Sequence, residues 1–515
     1  RSLESAGAAA GVIRGGVVTY AVSDGTHTAR GQIEVVQKPV QPITPVVRDD
    51  RALVREGDAV TIPVLDNDTM ADGIPLRLDP SSVHVLDGRP QTAFASDNVV
   101  RFVPTDTGLT GEQHVTIEYA AHPEGDPQRA QTGRIAVTVV PLPTAARPNQ
   151  APVARSFTTS VTAGDPLTIT VPTSGVDPDG DTVSIRGIVG AEGAALDLRL
   201  GRIVSVGADT IRYEAYPTAS GTEIIDYEVA DRFGELSRGF VRVGVVAPGD
   251  AQPPVAVDDT VTAMPGKTVH VPVLQNDLIA RGDAVNLSLG AGAESDWKID
   301  EQTRQVSTRV PEETAALHQV VYQIDNGAFD PSRATLLVRG QKDHLNPPIA
   351  KDDVAVPKPG EESALVDVLA NDFDIDSDPN TLRIDAILGA NGEVVQTPEG
   401  PKVQVKILDH GYTVPYVIVD EDGAKGMALI HVPTGSKGKP YVIPATLIQM
   451  DTDSTKSVTL ADHVKSPQGR TLGIAAANTL SASPAGQLTV TANGSDGLTL
   501  TSSGGYVGPG AVTLE

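Results

Sequence analysis

Val271-Pro-Val-Leu-Gln-Asn-Asp277 is a short apolar run that ends in an Asn-Asp pair, and the chain repeats it. Ile62-Pro-Val-Leu-Asp-Asn-Asp68 is nearly the same heptapeptide, and Val366-Asp-Val-Leu-Ala-Asn-Asp372 differs mainly by losing the proline. Val171-Pro-Thr-Ser-Gly-Val-Asp177 and Val458-Thr-Leu-Ala-Asp462 are weaker copies. Successive copies start 109, 100, 95 and 92 residues apart. A period of about 100 exceeds the roughly 20–50 residues of a solenoid repeat, so each period is one small domain. Each copy reads as a strand running into a turn, because Asn and Asp side chains bond their own backbone there.

A second landmark falls late in each period. Tyr20-Ala-Val-Ser-Asp24, Tyr227-Glu-Val-Ala-Asp231, Tyr322-Gln-Ile-Asp-Asn326 and Tyr416-Val-Ile-Val-Asp420 each place a tyrosine in an alternating strand before a polar turn. Tyr119 holds the place in another period without the aspartate. A tyrosine near the start of a late strand predicts a tyrosine corner, in which the hydroxyl bonds backbone across a Greek-key sandwich. Proline clusters at 38–45, 141–152, 248–254 and 346–348 separate the periods. They predict a partial repeat over 1–43, whole repeats over 44–145, 146–249, 250–342 and 343–435, and the start of another over 436–515. Short alternating segments such as Gly133-Arg-Ile-Ala-Val-Thr-Val-Val140, spaced by Gly, Asp and Asn, predict an all-β fold of tandem Ig-like sandwiches. Helical periodicity is missing. Its nearest candidate, residues 190–200, is interrupted by glycine. Proline linkers hold extended shapes, so four whole repeats are expected to form an extended array on the order of 150 Å long.

Composition narrows the function. The chain has 515 residues, too many for one core, and aromatics are only 3%, so each core must be small and aliphatic. A formal net charge of −26 argues against nucleic acid and anionic membrane as partners, since both select a basic face. With no cysteine, disulfides, zinc-thiolate sites and thiol nucleophiles are excluded. No apolar run reaches the ~18–20 residues needed to span a bilayer. Arg1-Ser-Leu-Glu4 is not a secretion leader, and the chain reads as an excerpt that begins late in one repeat.

The combination Pro-Pro-Val-Ala-Val-Asp-Asp259, then Val-Pro-Val-Leu-Gln-Asn-Asp277, with Asp177-Pro-Asp-Gly-Asp181 elsewhere, resembles the tandem Ig-like and cadherin-like repeats of bacterial surface proteins. The resemblance covers essentially the whole chain. It implies an extracellular, cell-surface or cell-wall location and a structural stalk or spacer role. The rival roles are an adhesin that binds a protein or glycan ligand, and an accessory region of a secreted enzyme. Neighbouring repeats are the partners expected within the chain.

Two acidic loops carry the only pattern with metal chemistry: Asp177, Asp179 and Asp181, and Asp372, Asp374, Asp376 and Asp378. Alternate carboxylates in a turn can converge on calcium, which takes six to eight oxygens. Cadherin-like repeats bind calcium near their junctions, so the resemblance points the same way. A solvated Asx turn is the competing reading. Asp352 and Asp353 are further candidates to join the second loop. Arg281-Gly-Asp283 is too short to carry an integrin-type reading. There is no His-x-x-x-His pair and no Gly-x-Ser-x-Gly elbow, and sugar-stacking aromatics are scarce, so no catalytic role is expected.

Overall fold

A computed structural model describes the chain apart from residues 1–15, 24–27, 36–43, 71–73, 87–91, 125, 191–195, 197, 248–252, 281–282, 291–292, 294, 313–317, 343, 359–360, 389–393, 397–399, 436–439, 444–446, 467–468, 476–479 and 515. Most of the helical candidate at 190–200, and Arg281-Gly282, lie outside the described residues. Every regular element that is described is a strand or a single 3₁₀ turn, the turns lying at Pro127–Arg129, Pro379–Thr381 and Leu460–Asp462.

An antiparallel hairpin comes first, β1 (Gly16–Ser23) with β2 (Thr28–Val35). The next repeat has seven strands: β3 (Asp50–Arg55), β4 (Val60–Ile62), β5 (Leu76–Val85), β6 (Ala93–Ser96), β7 (Val99–Phe102), β8 (Gln113–Pro123) and β9 (Gln131–Val140). They form two sheets, β3-β9-β8-β5 and β4-β7-β6, with β3 parallel to β9 and the other pairs antiparallel. The same arrangement of four strands against three recurs in the next three repeats, including the parallel first-to-last pairing. The fold is therefore all-β, in tandem Ig-like sandwiches. Residues 436–515 form smaller sheets around Leu460, Leu498 and Leu500. Tyr506 lies outside any strand there, after the Gly504-Gly505 turn, its hydroxyl donating to Pro509 O at 2.6 Å.

Alternation explains the cores. In β8, Val115, Ile117, Tyr119 and Ala121 point inward while His114, Thr116 and Glu118 point away, so one strand serves a core and a surface. Each whole repeat has its own cluster of Val, Ile and Leu around a buried late-strand tyrosine, Tyr119, Tyr227, Tyr322 or Tyr416, and the core of repeat 146–249 holds a second, Tyr213. Burying a phenol requires a partner for its hydroxyl, and the segment leading into the first strand supplies it, two residues ahead of that strand. Tyr322 donates to Val257 O at 2.7 Å, and Tyr416 to Lys351 O at 3.0 Å. Tyr119 lies 3.2 Å from Arg48 O, and Tyr227 bonds Arg155 O. These are the tyrosine corners that the late-strand pattern predicts.

The repeats also pack where they are not consecutive. Phe94 and Val103 of repeat 44–145 form one apolar cluster with Val417 and Met427 of repeat 343–435. Arg101 donates to Asp352 through both terminal nitrogens, Nη2 to Oδ2 at 3.0 Å, and Ser96 Oγ donates to Ala350 O at 3.2 Å. Tyr216 and Ser483 join repeat 146–249 to the last segment through a 2.6 Å hydroxyl contact. The extended array expected from the linkers is thus a folded-back one, because apolar faces outside the linkers find each other.

Candidate cation sites at the repeat junctions

The loop Asp177-Pro-Asp-Gly-Asp181 sits where repeat 146–249 meets the end of β3. Asp177 organises it by accepting the N–H groups of Asp179 (2.8 Å) and Asp181 (3.1 Å) on Oδ1. Gly180 has φ of 80°, and a Cβ there would lie 2.7 Å from Val54 Cα. Only glycine permits both the left-handed turn and this approach, which lets Gly180 O accept the Arg55 N–H at 2.9 Å. Asp231, fully buried at the next turn, accepts the N–H groups of Phe233, Gly234 and Glu235 on Oδ1 at 2.7–3.0 Å. One ligand oxygen each from Asp177, Asp181 and Asp231 fall within 4.8 Å of one another. The linker closes the group: Gln150 donates to Asp179 through N (2.8 Å) and Nε2 (3.0 Å), and Asn149 Nδ2 to Asp231 Oδ2 at 2.5 Å.

Two guanidinium groups enter this site. Arg55 is fully buried and donates from Nε to both oxygens of Asp181 (3.0 and 3.1 Å) and from Nη2 to Oδ2 (2.7 Å). The same Nη2 lies 3.0 Å from Asp179, and Nη1 donates to Pro141 O at 2.9 Å. Arg232 bonds Asp58 Oδ1 at 3.1 Å and Glu56 O at 3.0 Å, and its plane covers Phe233 at 4.9 Å. A planar fork matches a carboxylate with two parallel bonds, which a point charge cannot do. Burial still pushes the Asp177 and Asp58 carboxyls up to about 6. Asp177 Oδ2 is buried without a partner.

The junction before repeat 343–435 uses the same framework with other charges. Asp374 takes the place of Asp177, accepting the N–H groups of Asp376 (2.8 Å) and Ser377 (2.9 Å). Asn346 in the linker donates to Asp376 Oδ2 at 2.8 Å and to Thr262 O at 3.0 Å. Asp420 organises the adjoining turn by accepting from Asp422 and Ala424. Counting from the matched Asp-Asp pairs Asp49-Asp50 and Asp258-Asp259, Met264 stands where Arg55 stands and Lys267 where Asp58 stands. Counting from the corner tyrosines Tyr227 and Tyr416, Glu421 stands where Arg232 stands. The ion pair of the first junction is therefore reversed here: Lys267 Nζ lies 2.7 Å from Glu421 and 2.6 Å from Asp422. Asp374 Oδ2 is buried without a partner. Burial, helped by the charges of Asp376 and Asp420, pushes its carboxyl up to about 7.

The seven aspartates of the two loops thus separate by role. Asp177, Asp179 and Asp181 are all buried at the first junction, and Asp374 and Asp376 are buried at the second. Asp372 turns instead to its own tyrosine corner, accepting the Lys351 N–H at 2.7 Å and lying 3.4 Å from the Tyr416 hydroxyl. Asp378 is exposed and caps the Pro379–Thr381 turn through Asn380. Asp353 bonds Tyr416 at 2.8 Å, and Asp352 faces Arg101, so neither joins the loop. Sequence reading missed Asp231 and Asp420 as site residues. The signal was present, since each closes its tyrosine landmark, four residues after Tyr227 or Tyr416. It also missed Arg55, whose main partner, Asp181, lies 126 positions away.

A related carboxylate pair recurs at three tyrosine corners. Asp50 and Asp68 lie 2.9 and 3.4 Å from the Tyr119 hydroxyl, and Asp353 and Asp372 flank Tyr416 in the same way. Asp277 Oδ1 accepts from Tyr322 at 3.0 Å, beside Asp259. Burial pushes Asp50 and Asp353 up to about 6 and Asp259 and Asp372 up to about 7, with the neighbouring carboxylate adding to it.

Residues 149–244 match the family model of the bacterial Ig domain. No curated protein matches the chain. Among solved structures, the human desmocollin-1 ectodomain is similar at 11% identity, covering 83% of this chain and 87% of its own, with a TM-score of 0.17. Drosophila N-cadherin EC1-4 is similar at 13% identity over 76% of this chain and 99% of its own, with a TM-score of 0.21. The Dscam1 N-terminal four Ig domains are similar at 10% identity over 76% and 99%, also with a TM-score of 0.21. No described helix is long and apolar enough to cross a membrane. The chain is an array of tandem Ig-like sandwiches, and the one that matches the bacterial Ig domain carries a buried aspartate cluster, Asp177, Asp181 and Asp231, where it meets the repeat before it.

Proposed function

We propose that this chain is a non-catalytic structural segment of a bacterial cell-surface protein, a spacer whose repeats are locked to one another. The observation that carries this reading is the buried Arg55–Asp181 fork. It joins two repeats through side chains 1% and 0% exposed. An ion pair this dry fixes a relative orientation, because removing either partner strands a charge out of water. Such joints suit a part that holds other domains at a set position. The bacterial Ig match at 149–244 supports a surface location.

Calcium belongs to the second junction in this reading. At the first, Arg55 already spends both oxygens of Asp181, so a divalent ion would have to displace a guanidinium. At the second, Met264 leaves Asp374, Asp376 and Asp420 without such a cation. Asp374 Oδ2 has no partner, as Asp177 Oδ2 has none at the first, so the absence of the guanidinium is what sets the second junction apart, while the oxygens that already converge within 4.8 Å among the described residues are those of the first. These residues, with backbone and Asn346 oxygens, would hold the ion, whose charge would offset their repulsion. Affinity of an extracellular module, about 10⁻⁴–10⁻³ M, is expected. Calorimetric titration of the full chain tests it: the parent should release heat at millimolar calcium and Asp374→Asn with Asp376→Asn should not. Equal traces would reduce the second loop to a structural turn.

A further inference from the structure

The last hairpin of repeat 343–435, Tyr412–Val419 with Lys425–Val432, is apolar on both faces. Its inner face, with Val414, Tyr416 and Ile418, fills the repeat's own core. Its outer face carries the cross-strand pair Val417–Met427, 2% and 0% exposed. At the same place the other whole repeats carry Gln323–Arg333, Glu228–Arg238 and Ala120–Thr132. A strand that is apolar on both sides signals cover on both sides. Repeat 44–145 shows the complementary exception. Its outer cross-strand pair Phe94–Arg101, in which Arg101 faces Thr61, has the counterparts Lys298–Ser307 and Val395–Gln404, with no aromatic among them. Sequence and packing thus mark the same two faces, and each is the complement of the other: apolar to apolar, Arg101 to Asp352.

We propose that these two faces form an exchangeable interaction surface whose partner is a second copy of this chain. The faces lie on separate repeats, and two further repeats with proline-rich junctions stand between them. Opening between repeats 146–249 and 250–342, the junction without such an ion pair among the described residues, would leave the Arg55–Asp181 and Lys267–Glu421 joints intact and expose Phe94, Val103, Val417 and Met427 together, at a cost of about 1.5–3 kcal/mol for each large side chain. The complement already built for each patch is the other face. Two opened chains satisfy both patches by reciprocal exchange, which closes as a two-fold dimer without any new contact. Within one chain the contact is favoured by its high effective concentration, and crowding of copies on one surface shifts the balance toward exchange.

Two full-length variants test this by charge reversal. Arg101→Asp alone sets two acids against each other, and Asp352→Arg alone sets two bases. Mixed, the two chains restore both contacts, but only between chains. Sedimentation of the equimolar mixture should show a 1:1 dimer at least tenfold tighter than self-association of either variant, and the doubly substituted chain should behave as the parent does. A mixture that sediments as two independent monomers overturns the proposal. Because Asp352 also accepts the Leu429 N–H at 2.8 Å, a second measurement avoids that residue. The chain has no cysteine, so chains carrying Asp97→Cys and Lys351→Cys, which line one crevice at the contact, can be mixed with a short bismaleimide. Crosslinks joining the two different chains support exchange; their absence at high concentration contradicts it.

Discussion

Arg55 and Asp181 lie 126 positions apart and meet as a buried fork, with Nη2 2.7 Å from Oδ2 and Nε within 3.1 Å of both oxygens. One belongs to the first strand of repeat 44–145 and the other to the acidic loop of the next repeat. Arg55→Ala should destabilise the pair of repeats by about 3–5 kcal/mol, because Asp179 would stay buried without its counter-charge and Asp181 would keep only the 3.4 Å contact with Arg232 Nε. Denaturant unfolding of the full chain checks this, with Arg77→Ala, whose ion pair is exposed, expected to cost under about 1 kcal/mol.

Arg55→Met copies the residue found at the second junction. It frees Asp181 to join Asp177 and Asp231, whose oxygens already converge. This variant should gain a calcium-dependent rise in melting temperature at the first junction. A parent and variant with the same calcium response would mean that the guanidinium is not what holds the ion out.

Asp58–Arg232 and Lys267–Glu421 are the same contact with its charges reversed. Asp58→Lys and Arg232→Glu should therefore each weaken the first junction, while the double variant recovers much of the loss. A double-mutant cycle should give a coupling of roughly 0.5–3 kcal/mol. Additive losses would show that the two side chains act independently.

The carboxylates at the tyrosine corners set the pH dependence. Asp259 and Asp372 titrate near 7 in the folded chain, against an unfolded value of 3.8. The folded state therefore binds more protons between those values, and stability falls as pH rises from about 4 to 7. Asp352 opposes this: although burial pushes it up, the bonds from His431 and Arg101 bring it below its ordinary value, so its contribution is lost on acidification. With calcium chelated, the chain should melt higher at pH 5 than at pH 8. Asp259→Asn should shrink that difference.

Local features were legible in the sequence and distant ones were not. The period, the alternation in β8 and the corner role of Tyr119, Tyr322 and Tyr416 follow from backbone geometry within one repeat, where few residues decide the outcome. The split of the second acidic loop was hidden because Asp372 and Asp374 differ only in which way a turn points them. Partners of Arg55 could not be read, since a long side chain at a strand end has no periodicity to betray its contacts. The Val417–Met427 pair was readable in principle: the run from Val414 to Val419 lacks the polar alternation of the equivalent Tyr227 strand. Its meaning depends on the distant face that covers it.

Shape tests the account most directly. Four sandwiches laid end to end, each roughly 30–40 Å long, would span on the order of 150 Å. Packing of Phe94 and Val103 against Val417 and Met427 brings the first and fourth whole repeats together. Small-angle scattering of the full chain at low concentration should therefore give a maximum dimension well short of that span, lengthening in Arg101→Asp. A parent chain that already measures about 150 Å or more, unchanged by that substitution, would contradict a locked and folded-back array.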